Sequence, residues 1–370
     1  MMENMMGVIN VDREYDFLNE LTYFRCGAAV PFLGRYRLVD FILSNMAGAG
    51  MYEIALFVRS KYRSLFDHLG EGKEWNLDRK VGGLFILPPD WNDPTDFSVG
   101  DLRHFHNNID FFHRGLADYV LHSGSQHICN IDFNQVLEQH IDTGADVTLV
   151  YKNVDQLEEE HNQCKRLKID DKGRVEEIFN AEDGNHNIYM EMFIINKELM
   201  LELINYCIAH RRDYFFGDAI MSRIDELDIY AYEYTGFHMV VNSIKSYFKN
   251  SMKLLKRENY NALFHEDTLI LTKVKDEKPT KYFDESRVIN SLVANGCVIK
   301  GEVKNSIIFR QVKIDEGTEI DNSVIMQRGK IHKDAVLNNV ILDKEVEVAE
   351  ETTLIGGEEQ PFVAAKRASI

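Results

Sequence analysis

The sequence predicts an α/β chain in two parts: a Rossmann-like domain, then a left-handed parallel β-helix of hexapeptide repeats. Two observations carry this. Apolar, strand-like runs alternate with helical patterns through residues 1–250, and four short phrases recur at near-constant spacing in residues 286–370. Alternating strands and helices argue for a mostly parallel sheet covered by helices. A regular short repeat argues for a solenoid of stacked turns. The expected division is residues 1–250, a connecting segment 251–285, and the repeat domain 286–370.

In the first part, Tyr52-Glu-Ile-Ala-Leu-Phe-Val reads as a strand and Lys61 to Leu69 as an amphipathic helix. Asp118 to Ile128 reads as a helix leading into the strand-like Gln126-His-Ile-Cys. Asn134 to Thr143 reads as a helix, and Ala145-Asp-Val-Thr-Leu-Val-Tyr as another strand. Open α/β sheets bind ligands at the carboxyl ends of their strands. That rule places Gln126 through Asp132 where a catalytic carboxylate is expected. Phe105, Phe111, Phe112 and His113 form an aromatic group that core packing explains more cheaply than base stacking. The stretch from Lys249 to Ser286 is charged, contains Pro279 and lacks periodicity, so it reads as a connection.

In the second part the phrases are Asn290-Ser-Leu-Val, Asn305-Ser-Ile-Ile, Asn322-Ser-Val-Ile and Asn339-Val-Ile-Leu, starting 15, 17 and 17 residues apart. Aliphatic residues fall about every six positions: Ile308, Ile314, Ile320, then Ile325, Ile331, Leu337. Such spacing suits a triangular coil with one inward aliphatic per short strand. Gly296, Gly301, Gly317 and Gly329 fall between strands, where tight corners need positive φ or close backbone approach. The tail after Gly357 reads as poorly structured. The flat faces and open ends of such a coil must be capped or paired, which favours oligomers.

A net charge of −18 disfavours nucleic acid or anionic membrane as a general partner. It leaves room for small anions in a local basic pocket. The five cysteines are scattered without CxxC spacing, so structural zinc and a disulfide framework are not expected and a cytoplasmic setting is. No apolar run approaches the roughly 18 residues of a membrane span, and no secretory signal is expected.

Val30-Pro-Phe-Leu-Gly-Arg-Tyr-Arg-Leu-Val-Asp-Phe-Ile-Leu-Ser-Asn resembles the PFGGKYRLIDFPLSN segment of bacterial glucose-1-phosphate adenylyltransferases (ADP-glucose pyrophosphorylases). Lys61-Tyr-Arg-Ser-Leu-Phe-Asp-His-Leu, Trp75-Asn-Leu-Asp-Arg, Gly82-Gly, Leu87-Pro-Pro and Gly115-Leu-Ala-Asp-Tyr-Val continue the likeness, and the repeat resembles that family's C-terminal domain. The resemblance implies a GT-A-like nucleotidyltransferase domain. The family reaction joins glucose 1-phosphate to ATP and releases pyrophosphate. It places negative charge on phosphoryl oxygens and needs backbone N–H groups, cations and Mg²⁺.

The departures fall on those groups. The family's GGGxGxRLxPLT loop corresponds to a run with no glycine between Gly7 and Gly27, carrying Asp12, Glu14, Asp16 and Glu20 against only Arg13 and Arg25. The lysine of RAKP falls on Gly27. The metal aspartate of GDHIYKMDY falls on Gln126, with His127 at the histidine, and the aspartate of YWxDVGT falls on Val240. The lysine of FVEKP falls near Ala181. A neutral amide is a poor ligand for a hard cation, and Asp132, Asp213 and Asp218 are the nearby carboxylates available to compensate. Arg35 matches the lysine of FGGK, which implies a place, with Arg37, in an anionic-effector site; surface ion pairing explains both equally well.

The resemblance therefore implies no catalytic residue and no cofactor of this chain's own. It points to the non-catalytic companion subunit of the enzyme in glycogen biosynthesis. That subunit's partner is the catalytic subunit, in a hetero-oligomer expected to be a tetramer, with self-association open. Two other readings stand beside it: an active sugar-phosphate nucleotidyltransferase with a rearranged site, and an acyltransferase using His332, the one histidine of the coil.

Overall fold

The computed structural model describes residues 5–11, 16–88, 100–181, 184–264 and 268–370. Asp12, Arg13, Glu14 and Pro89 of the motifs above lie outside the described residues.

The first domain is built on a mixed sheet. Strand β1 (Met5–Asn10) pairs in parallel with β2 (Glu53–Phe57) on one side, and β2 with β3 (Gly83–Leu87). On its other side β1 pairs in parallel with β4 (Tyr119–Ser123). A two-stranded ladder of β5 (His127–Cys129) stands apart from this sheet. Beyond β4 the sheet continues through β6 (Val147–Asn153), a hairpin of β7 (Arg166–Ile169) and β8 (Val175–Phe179), β9 (Asn187–Asn196) and β10 (Ile229–Glu233). Strand β9 lies antiparallel between β4 and β6, and β10 pairs in parallel with β6. The last strand of the domain, β11 (His238–Val240), pairs antiparallel with β5.

Helices cover both faces, and two separate apolar clusters lie against the sheet. Helix α1 (Leu38–Gly48) and α2 (Arg63–Leu69) follow the first two turns, and α3 (Leu102–Asn107) and α4 (Ile109–Arg114) precede β4. Next come α5 (Phe133–Thr143) and α6 (Lys197–Ala209). Phe57, Phe105 and Phe112 pack with ring centroids 4.8–6.3 Å apart in the core, as expected of a packing cluster.

Two expectations are corrected. Residues 119–123 are a strand, not a helix. As a central strand β4 is buried on both faces and shows no alternation that would have marked it. The connection is more ordered than its composition suggests: α7 (Ile244–Lys253) and α8 (Arg257–Leu263) occupy its beginning, so a boundary at residue 250 falls inside a helix.

The second domain is a three-sided coil of parallel strands. Each of its three sheets has five strands in register. The inward stacks are those the six-residue spacing marks: Ile299, Ile314, Ile331, Val348 on one side; Val303, Ile320, Leu337, Leu354 on the next; Ile308, Ile325, Leu342, Ala364 on the third. The phrase-initial asparagines, Asn290, Asn305, Asn322 and Asn339, take positive φ of 42–53° at one corner. Asparagine tolerates that region because its short side chain hydrogen-bonds locally. Asn290 donates to Asn305 (2.8 Å), and Asn305 donates in turn to Asp321 (2.9 Å), in a ladder along that corner. Of the four glycines, Gly296 and Gly317 have positive φ; at Gly301 a side chain would collide with the Thr318 carbonyl. The tail is not loose: Phe362–Ala364 pairs with Val340–Leu342 as the last strand of the third side.

One face of the coil is covered by the chain itself. Ile307, Phe309, Val324, Met326 and Ile341 pack against Val30, Phe32, Phe41, Tyr247 and Phe248. Within this interface Arg25 donates to both carboxylate oxygens of Asp343 at 2.9 Å, and both side chains are essentially inaccessible to water.

Candidate functional site

Strand β1 is flanked by β2 and β4, so the connections leave it in opposite directions. A crevice opens at such a point, beyond the carboxyl ends of the strands. The structure has a cavity of about 320 Å³ there, lined by Asn10 from the end of β1, Gly124 and Gln126 after β4, Gln163 to Lys165 before β7, and Tyr189, Glu191 and Phe193 of β9. Asp101, His122, His127, Phe216 and Asn242 complete it.

Of the two positions matched to metal aspartates, Gln126 lines this cavity and Val240 does not. Val240 is the register partner of His127 in the β5–β11 ladder, and the Val241 N–H donates to the Gln126 carbonyl at 2.8 Å. Gln126 and Val240 thus stand on neighbouring rungs of one ladder. Gln126 offers an amide, and Val240 is buried in a small apolar cluster with Cys164 and Ile188. These residues do not fit a divalent cation, and no step through Mg²⁺ follows from them. Among the described residues, no group of three or more His, Cys, Asp or Glu side chains is arranged to hold a metal.

The remaining matched positions lie outside the cavity lining. Gly27 is buried in a short 3₁₀ turn, Gly27–Ala29. Ala181 is exposed after β8. Two of the three carboxylates offered as compensation are engaged elsewhere: Asp132 caps α5 by accepting from the Asn134 N–H, and Asp218 accepts from the N–H groups of Asp213 and Tyr214. Arg25, one of two cations in the degenerate loop, is turned into the coil interface. Asp16 of the same loop is paired with Lys61 at 2.8 Å.

The cavity has other charges that the motifs did not mark. Asp101 accepts from Asn10 Nδ2 at 2.9 Å and from the Phe215 N–H at 2.8 Å, tying β1 to the segment after α6. Glu191 is exposed at a bulge in β9 and holds φ at +56°. Lys165 is the one lysine or arginine of the described lining, and its ammonium donates to Asn180 at 3.3 Å. His127 shares a 2.9 Å hydrogen bond with His238, and burial lowers its pKa to about 3. Burial also pushes His238 well down, so the pair carries no charge at neutral pH. Only the tertiary bulge identifies Glu191, so local sequence gave no signal of it. A left-handed conformation costs a residue with a Cβ about 1–2 kcal/mol. Glu191→Gly is expected to raise stability by about 0.5–1 kcal/mol, after glycine's entropy in the unfolded chain is counted. Urea unfolding of the two proteins measures this.

A second polar site lies where α1, the segment before the coil and the coil meet. Arg35 is exposed beside the Tyr36 ring. Arg37 donates to Ser64 Oγ at 2.8 Å, and burial lowers its pKa to about 10. Lys344 is held down to about 6 by burial and by the neighbouring Arg37 and Arg25. Lys275 is lowered by burial and then by Arg310, and Arg310 by burial and then by Arg35. Cations crowded closely enough to depress one another form a site that an anion would relieve. The sequence marked only Arg35 and Arg37, because Lys275, Arg310 and Lys344 are scattered along the chain.

Other marked residues have structural roles. Trp75 donates its indole N–H to Ser44 at 3.0 Å within the core. His332 contacts Glu347 at 2.8 Å and Asp315 at 3.6 Å, in a ring of ion pairs on the coil rather than a base.

Comparison with known proteins agrees with this layout. Residues 18–257 match the family described as nucleotidyl transferase, and residues 276–361 the family described as GlmU-like, C-terminal hexapeptide. The chain is 41% identical to the glycogen biosynthesis protein GlgD of Bacillus subtilis (strain 168), covering 98% of this chain and 96% of that one. It is 40% identical to the GlgD of Geobacillus stearothermophilus, over 99% and 97% of the two chains. A glucose-1-phosphate adenylyltransferase of Clostridium novyi (strain NT) is 30% identical over 86% of this chain and 84% of its own.

Proposed function

The chain belongs to the nucleotidyl transferase family that includes glucose-1-phosphate adenylyltransferases and GlgD proteins, and from that membership we propose that it is a regulatory, catalytically impaired subunit of ADP-glucose pyrophosphorylase. It assembles with a catalytic relative in the cytoplasm and raises that relative's rate of making ADP-glucose from ATP and glucose 1-phosphate for glycogen synthesis. The observation that carries this is the ladder of β5 and β11, where an amide and a buried valine stand at the two positions matched to metal aspartates. Supporting it are the cavity charges, in which two carboxylates face one lysine where a triphosphate would lie. Removal of a single electrostatic clamp costs on the order of 3 kcal/mol in the transition state; here the metal ligands, the loop glycines and two lysines are absent together. No helix among the described residues is long and apolar enough to cross a membrane.

In this reading the chain contributes a scaffold and an effector site. Arg35 and Arg37, with Lys275, Arg310 and Lys344, bind an anionic effector at the junction of the two domains. Lys344 gives the site a pH dependence. An anion favours the protonated amine, so affinity rises as pH falls from 8 toward 6, with proton uptake. Inorganic sulfate, whose own charge is constant over this range, is expected to bind the chain more tightly at pH 6 than at pH 8 by calorimetry. Arg35→Ala is expected to weaken the effector response of the mixed enzyme without unfolding the chain. An unchanged response would remove the effector role of Arg35.

A further inference from the structure

A second cavity, of about 460 Å³, shares no lining residue with the one beside β1. It lies among the C-terminal end of α1, the segment leading from β5 into α5, the turn after β10 and the end of α8. Two of its side chains, Asn45 and Asn130, are 2% and 6% exposed. Both amides are oriented through their nitrogens. Asn45 Nδ2 donates to the Cys129 carbonyl at 3.0 Å, and Asn130 Nδ2 donates to the Leu263 and Thr268 carbonyls, each at 3.1 Å. Among the described residues, neither Oδ1 has a donor. A buried acceptor without a donor costs about 1–3 kcal/mol, so two of them on one cavity point to a donor supplied from outside the chain. The hydroxyl groups of the lining do not supply it: Tyr232 donates to Gln135 Oε1 at 3.2 Å, and Tyr234 to the Asn130 carbonyl at 3.1 Å.

The electrostatics favour a donor that is positively charged. Asp132 is the one charged side chain of the described lining, which holds no lysine, arginine or histidine. Burial and then the Asp132 charge raise the pKa of the Tyr232 phenol, so the carboxylate and the ring share the cavity mouth. The Tyr232 and Phe237 rings are half-buried, and an aromatic face beside a carboxylate attracts a cation. Gly48 and Ala49 bring the negative end of the α1 dipole to the same space. The positive end of α5 also opens here, but Asp132 caps it by accepting from the Asn134 N–H at 3.0 Å. One exposed carboxylate and two amides do not make a cage for a divalent ion, and the volume suits a small organic molecule.

We propose that this second cavity binds a small organic amine, whose primary ammonium group donates to Asn45 Oδ1 and Asn130 Oδ1 and whose charge is matched by Asp132. The proposal goes beyond the assembly reading and is tested on the isolated chain, so either can fail without the other.

The test is calorimetry and NMR titration of the full chain with three probes: n-butylammonium, n-butyltrimethylammonium and n-butanol. The second keeps the charge without an N–H donor, and the third keeps a donor without the charge. n-Butylammonium is expected to bind saturably, about fivefold or more tighter than either of the others. The side-chain amide resonances of Asn45 and Asn130 are expected to shift along the same saturation curve. Asp132→Asn, which keeps the helix cap, is expected to weaken n-butylammonium by about threefold or more and to leave n-butanol unchanged. Tyr232→Leu, which leaves the carboxylate in place, is expected to weaken n-butylammonium as well. Absence of saturable binding, equal binding of n-butanol or n-butyltrimethylammonium, or unmoved Asn45 and Asn130 resonances overturns the proposal.

Discussion

Asp343→Ala is expected to destabilise the chain by about 3–5 kcal/mol, because it leaves the Arg25 guanidinium buried without its counter-charge. Arg25 lies at 2% exposure and Asp343 at 0%, so water cannot replace the lost carboxylate. The two residues are 318 positions apart and hold the loop after β1 to the coil. The pair itself need not add net stability, since desolvating both charges offsets most of their attraction. Arg25→Met combined with Asp343→Leu should therefore recover most of the loss. Chemical denaturation of the wild type, the single variant and the double variant measures both effects. A single variant within about 1 kcal/mol of wild type would mean that the interface relaxes to admit water.

Val240→Asp is expected to be nearly as damaging, although it installs the aspartate that the family motif implies at this position. Val240 is 1% exposed and contacts Cys164 and Ile188. An unpaired carboxylate there either stays charged at a cost of several kcal/mol or takes up a proton. The neighbouring His127 and His238 are themselves held neutral by burial and supply no counter-charge. The expected result is a chain less stable by about 3 kcal/mol at pH 7, with part of the loss recovered toward pH 5 as the raised carboxyl is protonated. Gln126→Asp together with Val240→Asp is not expected to restore pyrophosphate release, because the loop and lysines remain absent.

The coil was legible almost completely in the sequence. Each inward stack repeats once per turn, so Ile308, Ile314 and Ile320 identified themselves by spacing alone. Its last strand escaped because Phe362 follows its register partner Val340 by 22 positions, after an insertion that breaks the period. In the first domain Gln126 and Val240 were legible only as mismatches to a family motif. Their adjacency depends on β5 pairing with β11 across more than a hundred residues. Glu191, Asp101, Lys165 and Lys344 left no mark, because their roles arise from a bulge, a cavity and a domain junction. The Arg25–Asp343 pair is invisible for the same reason: nothing local distinguishes a buried arginine from an exposed one.

The assembly face of the coil also becomes narrower than the sequence suggests. One of the three sides is covered by Phe32, Phe41, Tyr247 and Phe248 of the same chain. In the proposed assembly, a catalytic partner would use the two remaining sides, the coil's end, or the transferase domain. The cluster of Arg37, Lys275 and Lys344 sits at the covered junction, next to Arg25 and Asp343. In the proposed reading, a change of charge there is felt by both domains at once.

The most direct test is ADP-glucose synthesis with Mg²⁺, ATP and glucose 1-phosphate by the purified chain, by a catalytic relative, and by the two co-expressed, with the mass of each assembly measured. The expected result is no detectable synthesis by the chain alone and a mixed assembly faster than the catalytic relative by itself. Strong synthesis by the isolated chain, or a catalytic relative that neither binds it nor responds to it, would contradict the proposed function.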